Sequence, residues 1–348
     1  MALNTSLIDG MKTQDGFREY MKTLVGSNDK RTSFKQVNFN DYLSTITPAY
    51  SAPIAKQERV AVIVAQGNIV YGDTELEQIS SSRLTKVLRK ARRDKKIKAV
   101  VLRIDSGGGS AFASEIIRQE LVLLQQAGKP VVVSMGAMAA SGAYWIAANA
   151  DKIFASPNTL TGSIGVFGAF PTFENTLADA GVFNDGIGTT KMAGAGHLTR
   201  PMPEAFSMAV QTNVEQSYRR FIEIVADGRG MELTEVDKVA QGRVWDGKTA
   251  FELGLVDQLG SLDDAVAVAV DMVGLPPGRA SYFQENKNPA ELLLRHLESA
   301  TMRTALFDSK LRITADRLIR RFAAQYSFLP VSDPQHIYTH CLLPFSVF

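Results

Sequence analysis

Two short segments of this chain hold residues whose types and spacing can do chemistry. The first is Asp105-Ser106-Gly107-Gly108-Gly109-Ser110, placed between an apolar run and a helical pattern. Glycines there permit positive φ and close approach of backbone to a ligand. Successive N–H groups at such a turn form an anion-binding concavity. The same string also reads as a tight turn and nothing more. It is neither a Walker loop, since no Gly-Lys-Ser/Thr follows, nor a dinucleotide fingerprint, since the G-x-G-x-x-G spacing fails. The second segment is SMGAMAASGAYW over residues 134–145, with Ser141 between small neighbours where a strand gives way to a helix. That setting has the geometry of a nucleophile elbow. Small neighbours leave room for a carbonyl, and the N–H groups of Gly109 and Gly142 can face a developing oxyanion, one from each segment. A serine in an Ala/Gly-rich turn also occurs for purely structural reasons.

A serine hydroxyl needs a base. Of the four histidines, His296, His336 and His340 lie near the C-terminus and His197 lies in the loop-like string GAGHLTR, so a Ser-His-Asp triad has little support. A lysine can serve if it is neutral. Lowering its pKa from about 10.4 to 7–8 takes burial worth roughly 3–5 kcal/mol.

The elements that would position these groups alternate from Arg59 onward. Strands are expected over 60–64, 99–104, 131–134 and 152–155, and helices over 76–93, 110–127 and 140–148. Alternation of this kind predicts βαβ units and a mostly parallel sheet covered by helices. A long helix is expected over 203–227, packing outside the sheet core. Residues 276–348 change character. Two amphipathic helices are expected there, over 291–299 and 311–324, the second with a basic side that suits a membrane surface or plain solvent.

Composition narrows the function classes. With 348 residues, 45% hydrophobic and 21% charged, the chain has ample material for a core. The net charge of +2 argues for no polyanionic partner. Residues 83–98 carry nine basic side chains against Asp94, but no aromatics interleave for base stacking, so no nucleic-acid partner is expected. The single Cys341 precludes an internal disulfide. No His/Cys/Asp cluster has metal-ligand spacing, so neither metal nor cofactor is expected. The uncharged run 131–148 is too rich in Ala, Gly and Ser for a membrane span and reads as a buried strand entering a buried helix. No signal peptide is visible, and any membrane anchor is expected outside this chain.

The chain also contains an internal echo. Residues 2–26 and 250–274 align at a constant offset, with Ala2/Ala250, Leu7/Leu255, Asp9/Asp257, Asp15/Asp263, Val25/Val273 and Gly26/Gly274 identical. Chance likeness of two amphipathic helices is one explanation. The other is that one module ends near Gly26 and a second near Gly274. On that reading 1–26 is the tail of a preceding repeat, 27–58 a linker, 59–275 the main domain and 276–348 a C-terminal extension.

The string SGGGS, then GKPVVVSMGAMAASGAYWIA, then SPNTLTGSIGVFG, together with the closing DPQHIYTHCLLP, resembles the S49 peptidase family, the family of the signal peptide peptidases, and in particular the C-terminal half of its long, two-repeat form. The resemblance covers about 59–275. It implies a crotonase/ClpP-like α/β fold, a parallel sheet with flanking helices, here followed by a helical C-terminal extension. It implies a Ser/Lys dyad that degrades cleaved signal peptides or other unfolded apolar peptides, in a homo-oligomeric ring or dome. The implied location is the periplasmic face of a bacterial inner membrane. Ser141 maps onto the nucleophile and Gly109 onto an oxyanion donor. Lys191, in Gly188-Thr189-Thr190-Lys191, lies 50 residues after Ser141, as the base does in single-repeat relatives. In the long form the lysine instead comes from the first repeat. Two other classes stay open: a catalytically incomplete assembly subunit, and a crotonase-type acyl-CoA enzyme that would need the Gly109 loop but not Ser141.

Overall fold

A computed structural model describes residues 9–10, 12–28, 33–37, 42, 57–73, 78–283 and the backbone of 337–340. The helices expected over 291–299 and 311–324 lie outside the described residues. The chain divides into two units, Met1–Ala52 and Pro53–Phe348. In the first, α1 (Gln14–Val25) opens on Thr13, whose Oγ1 accepts the Gly16 N–H at 3.1 Å, and stops at Gly26 with φ 81°. A bridge between Ser27 and Phe34 folds the chain back, and Phe34 meets Phe17 edge to face at 6.4 Å.

The second unit holds the sheet. Its strands are β1 (Arg59–Gln66), β2 (Ile69–Val70), β3 (Ile79–Ser80), β4 (Ile97–Ser106), β5 (Gly108–Ser110), β6 (Val131–Ala140), β7 (Lys152–Ala155), β8 (Leu160–Gly162), β9 (Phe167–Gly168), β10 (Val244–Asp246), β11 (Gln258–Leu259), β12 (Ala280–Tyr282) and β13 (Ile337–His340). Its helices are α2 (Ser81–Arg93), α3 (Ala111–Gln126), α4 (Gly142–Ala147), α5 (Glu174–Asp179), α6 (Glu204–Arg229), α7 (Leu233–Val239), α8 (Gly247–Glu252) and α9 (Leu262–Met272).

The main sheet runs β10-β8-β6-β4-β1-β12, with β7 beside the first half of β6 and β11 beside β7. Every pairing is parallel except β10 with β8. β1, β4 and β6 are buried along most of their length, as the near-continuous apolar runs of a doubly covered parallel sheet require. α9 packs across β1, β4 and β6, while α2 and α3 pack on each other and on β4 and β6. The expected α/β fold, a parallel-dominated sheet flanked by helices, is therefore what forms.

Several boundaries move. The helix expected from 76 starts at Ser81, because Ile79 and Ser80 pair as a strand and the Ser80 hydroxyl caps the helix by accepting Arg83 N–H at 3.2 Å. The strand expected to end at 134 continues to Ala140, since β8 offers 138–140 a second partner. α6 does not stay outside the core: Phe221, Ile224 and Val225 are buried, and Phe221 stacks on Trp145 at 4.7 Å. Within 276–348 the described residues include two strands, β12 against β1 and β13 in a second, smaller sheet ordered β3-β2-β5-β13-β9. The run 131–148 is a buried strand and helix, and among the described residues no helix is long and apolar enough to cross a membrane. The basic stretch is partly neutralised, with Arg92 on Glu120 at 2.7 Å, Lys98 on Glu58 at 2.7 Å, and Arg83 on Asp73.

Candidate active site

The site begins with an irregularity in β6. Its register with β4 is even from Val100↔Val131 to Ile104↔Met135, then jumps to Ser106↔Ala139. Residues 136–138 therefore stand opposite Asp105 alone, a bulge of the kind that bends a strand and re-aims the next few residues. Asp105 holds the bulge by accepting the Met138 N–H at 3.1 Å. Gly136 makes room for that carboxylate, since a Cβ there would lie 2.6 Å from Asp105 Cγ. Two threonines of the 159–161 segment fix the strand from the other edge. Thr159 Oγ1 donates to Gly136 O at 2.8 Å, and Thr161 Oγ1 donates to Ala139 O at 2.7 Å.

Ser141 comes directly after β6, at φ 57° and ψ −116°. For a residue with a Cβ this is a strained conformation, costing on the order of 1–3 kcal/mol. Its surroundings enforce it. The Ser141 N–H donates to Gly162 O at 2.8 Å, and its carbonyl accepts Trp145 N–H at 2.9 Å. α4 is pinned in turn. Tyr144 Oη donates to Leu255 O at 2.7 Å, and burial drives the Tyr144 pKa well above its ordinary value, so the phenol stays protonated. Trp145 Nε1 donates to Glu115 Oε2 at 2.7 Å, and Arg118 grips Glu115 through two bonds of 2.7 Å while reaching Asn149 at 2.8 Å. Burial pushes the Glu115 pKa up, but hydrogen bonds from Arg118, Trp145 and Gln119 outweigh it and hold the carboxyl below its ordinary range.

The Ser141 side chain is 1% exposed and its Oγ has no hydrogen-bond partner among the described residues. Leaving a buried hydroxyl unpaired costs about 1–3 kcal/mol. As the first residue of α4, Gly142 carries an N–H with no intrahelical acceptor.

The glycine segment forms β5 and runs straight into α3, whose cap is the Ser110 hydroxyl accepting Ala113 N–H at 3.1 Å. Gly109 has φ 152°, and a Cβ on it would fall 2.1 Å from Ile69 O. Only glycine fits so close to β2. The pair Ser106/Ala139 lies on adjacent strands, three residues before Gly109 and two before Ser141, and α4 packs against β5. The glycine strand and the serine turn are thus neighbours at one end of the sheet.

Lys191 is elsewhere. It is exposed in the turn-rich stretch after Gly188, and His197 is exposed in the same segment. Neither bonds Ser141 Oγ. Lys129 is a lysine whose pKa burial lowers, but it caps α2 through Ala91 O and Asp94 O. It sits just before β6, and Ser141 just after, so the strand's ten residues separate them by about 30 Å. Among the described residues no group of His, Cys, Asp and Glu is placed to hold a metal.

The roles of Asp105, Thr159, Thr161 and Gly162 escaped sequence reasoning, although Asp105 opened the glycine segment and TLTG stood within the SPNTLTGSIGVFG string. Their roles are contacts to a strand some twenty or more residues away, and no local pattern encodes those.

The family model "Peptidase family S49" matches residues 123–275. A relative from Haemophilus influenzae, "Protease 4", is 48% identical over 240 residues, covering 68% of this chain and 38% of that protein. "Protease 4" of Salmonella typhi is 37% identical over 345 residues, covering 98% of this chain and 54% of that protein. "Putative protease slr0021" of Synechocystis is 34% identical over 226 residues, covering 65% of this chain and 78% of that protein. The chain thus spans about half or less of the two Protease 4 relatives. With these likenesses added to the motifs and the serine turn, the chain belongs to peptidase family S49.

Proposed function

We propose that this chain is the nucleophile-bearing part of a serine endopeptidase that cleaves unfolded apolar peptides, signal peptides among them. One observation carries the reading. Ser141 is held in a strained conformation with a buried, unpartnered hydroxyl, beside a strand whose glycine admits no side chain. Strain and an unpaired polar group both cost stability, and such costs concentrate where a site needs them.

In the reaction, Ser141 Oγ attacks the scissile carbonyl while a neutral lysine takes its proton. The N–H groups of Gly109 and Gly142 receive the oxyanion. The lysine then protonates the leaving amine, and water releases the acyl group by the reverse sequence. Lys191 is exposed to water in a single chain and does not bond Ser141 Oγ. The base is therefore Lys191 of a neighbouring copy, buried on assembly, or a lysine of a preceding repeat. Support for an assembly comes from apolar side chains in the same chain segment as Lys191: Phe183 is 81% exposed and Ile187 fully so. Support for a preceding repeat comes from the echo, since α1 and α9 open on hydroxyl caps, Thr13 and Ser261, at the offset that aligns 2–26 with 250–274. Family resemblance supports a membrane-associated bacterial enzyme facing the periplasm.

The test mixes two dead chains. Ser141→Ala and Lys191→Ala are each expected to lack hydrolysis of a leader-type peptide, and the mixture to recover it. Full activity of Lys191→Ala alone would assign the base to another lysine. A fluorophosphonate that labels Ser141 favours a peptidase over an acyl-CoA enzyme. Labelling absent from the chain alone but restored by a first-repeat partner identifies an incomplete subunit, a reading the unpartnered Oγ also favours.

A further inference from the structure

α2 has two faces of different character. Ser81, Leu84, Thr85, Leu88 and Ala91 are buried, and the helix packs on α3 and the sheet. On the opposite side Lys86, Arg89, Lys90 and Arg93 recur at i, i+3, i+4 and i+7, and all four are exposed. The turn into β4 adds Lys95 and Lys96, also exposed. A helix dipole favours cations in the last turn, which accounts for Lys90 and Arg93 but not for Lys86. Like charges at i and i+4 repel, so the stripe does nothing for the helix itself. Arg89 and Arg92 share the buried Glu120, at 3.5 and 2.7 Å. Among the described residues Lys90, Arg93, Lys95 and Lys96 have no carboxylate at ion-pair distance. Positive charge thus collects on one flank of a chain whose net charge is only +2.

Apolar side chains border this flank. Lys90 Nζ lies 5.7 Å from the centroid of the Phe283 ring, and the adjacent Tyr282 is 49% exposed. Leu123, one turn beyond Glu120 on α3, is exposed as well. We propose that the outer face of α2 and the turn after it form a docking surface for an anionic lipid bilayer. Lys90, Arg93, Lys95 and Lys96 meet the headgroups, and Tyr282 and Leu123 meet the boundary with the acyl chains. Lysine is a point charge on a flexible stem, which suits mobile headgroups better than a fixed, patterned partner. Tyrosine is enriched at the membrane–water interface, where its ring is half wet. Each basic side chain near an anionic surface tightens partitioning about fivefold, so a handful act together. The turn at 94–96 sits where the parallel strands start, and Ser141 follows their far ends. A docked chain therefore keeps its serine turn clear of the bilayer. Docking of this kind stands whether or not the peptidase reading holds.

The experiment sediments the full chain with vesicles of phosphatidylcholine alone or with about 30% phosphatidylglycerol. Binding is expected only to the anionic vesicles, and to weaken at least about tenfold between about 0.05 M and 0.5 M NaCl. The variant Lys90→Gln/Arg93→Gln/Lys95→Gln/Lys96→Gln is expected to bind at least about fiftyfold more weakly than the parent. Lys95→Gln/Lys96→Gln, which leaves the helix untouched, should lose at least about tenfold and decides the matter if the fourfold variant does not fold. A charge-matched control, Lys35→Gln/Arg219→Gln/Lys238→Gln/Lys248→Gln, should bind as the parent does. Equal binding to both vesicle types, or binding indifferent to salt, overturns the proposal. So does parental binding by the altered flank, which would move the contact to another surface such as residues 311–324, or equal loss in the control. Retention on immobilised poly-glutamate without binding to vesicles overturns it in favour of an acidic protein partner. Binding to neither overturns it in favour of a solvated face.

Discussion

The serine turn and the segment that carries Lys191 are opposites. Around Ser141, β6 is held from both edges by Asp105, Thr159 and Thr161, and α4 is pinned by Glu115 and Leu255. A strained backbone persists there because many contacts determine it. From 181 to 200 the chain is turns and loop, with Val182, Phe183, Ile187 and Leu198 all exposed. One half of the proposed Ser/Lys apparatus is thus finished inside a single chain. The other half has the surface of something that finishes only against a partner.

This contrast between the two regions can be challenged at several positions. The largest effect is expected from Ser141→Ala, which should lower peptide hydrolysis by at least about a thousandfold with an unchanged circular dichroism spectrum. In the same position Ser141→Gly should also be inactive but raise the unfolding free energy by about 1 kcal/mol, because glycine accepts φ 57° without strain. Next comes Gly109→Ala. Its new methyl collides with backbone, not with a movable side chain, and a loss of about 3 kcal/mol is expected by urea denaturation.

Glu115→Ala should rank below it at about 2 kcal/mol, since it strands the buried Arg118 and the Trp145 N–H. Its carboxyl sits below its ordinary pKa in the folded chain. A group of that kind contributes stability above its unfolded pKa, and the contribution disappears as pH falls through the folded value. Glu115→Gln should therefore flatten the acid limb of the stability profile. The smallest stability change belongs to Lys191→Ala, expected within about 0.5 kcal/mol of the parent because the side chain is exposed among the described residues. A marked drop in its thermal midpoint would show the two regions to be less different than they look.

Much of the site was legible in one dimension. The glycine triplet and the serine among small residues stood out through their resemblance to the S49 motifs, and the apolar runs of β1, β4 and β6 announce themselves by composition and period, which are local properties of the chain. So does the start of α3 at Ser110, where a hydroxyl meets an orphan N–H. The features that needed the folded chain were non-local. The bulge at 136–138 forms where β8 takes 138–140 and the Asp105 carboxylate of β4 accepts the Met138 N–H, and the positive φ of Ser141 follows it beside Gly162. The return of Ile337–His340 to β5 pairs residues more than two hundred positions apart, and the exposure of Lys191 depends on what fails to pack against it. Strand pairing and burial are set by the summed contacts of distant segments, and a local reading of residue types does not contain those sums.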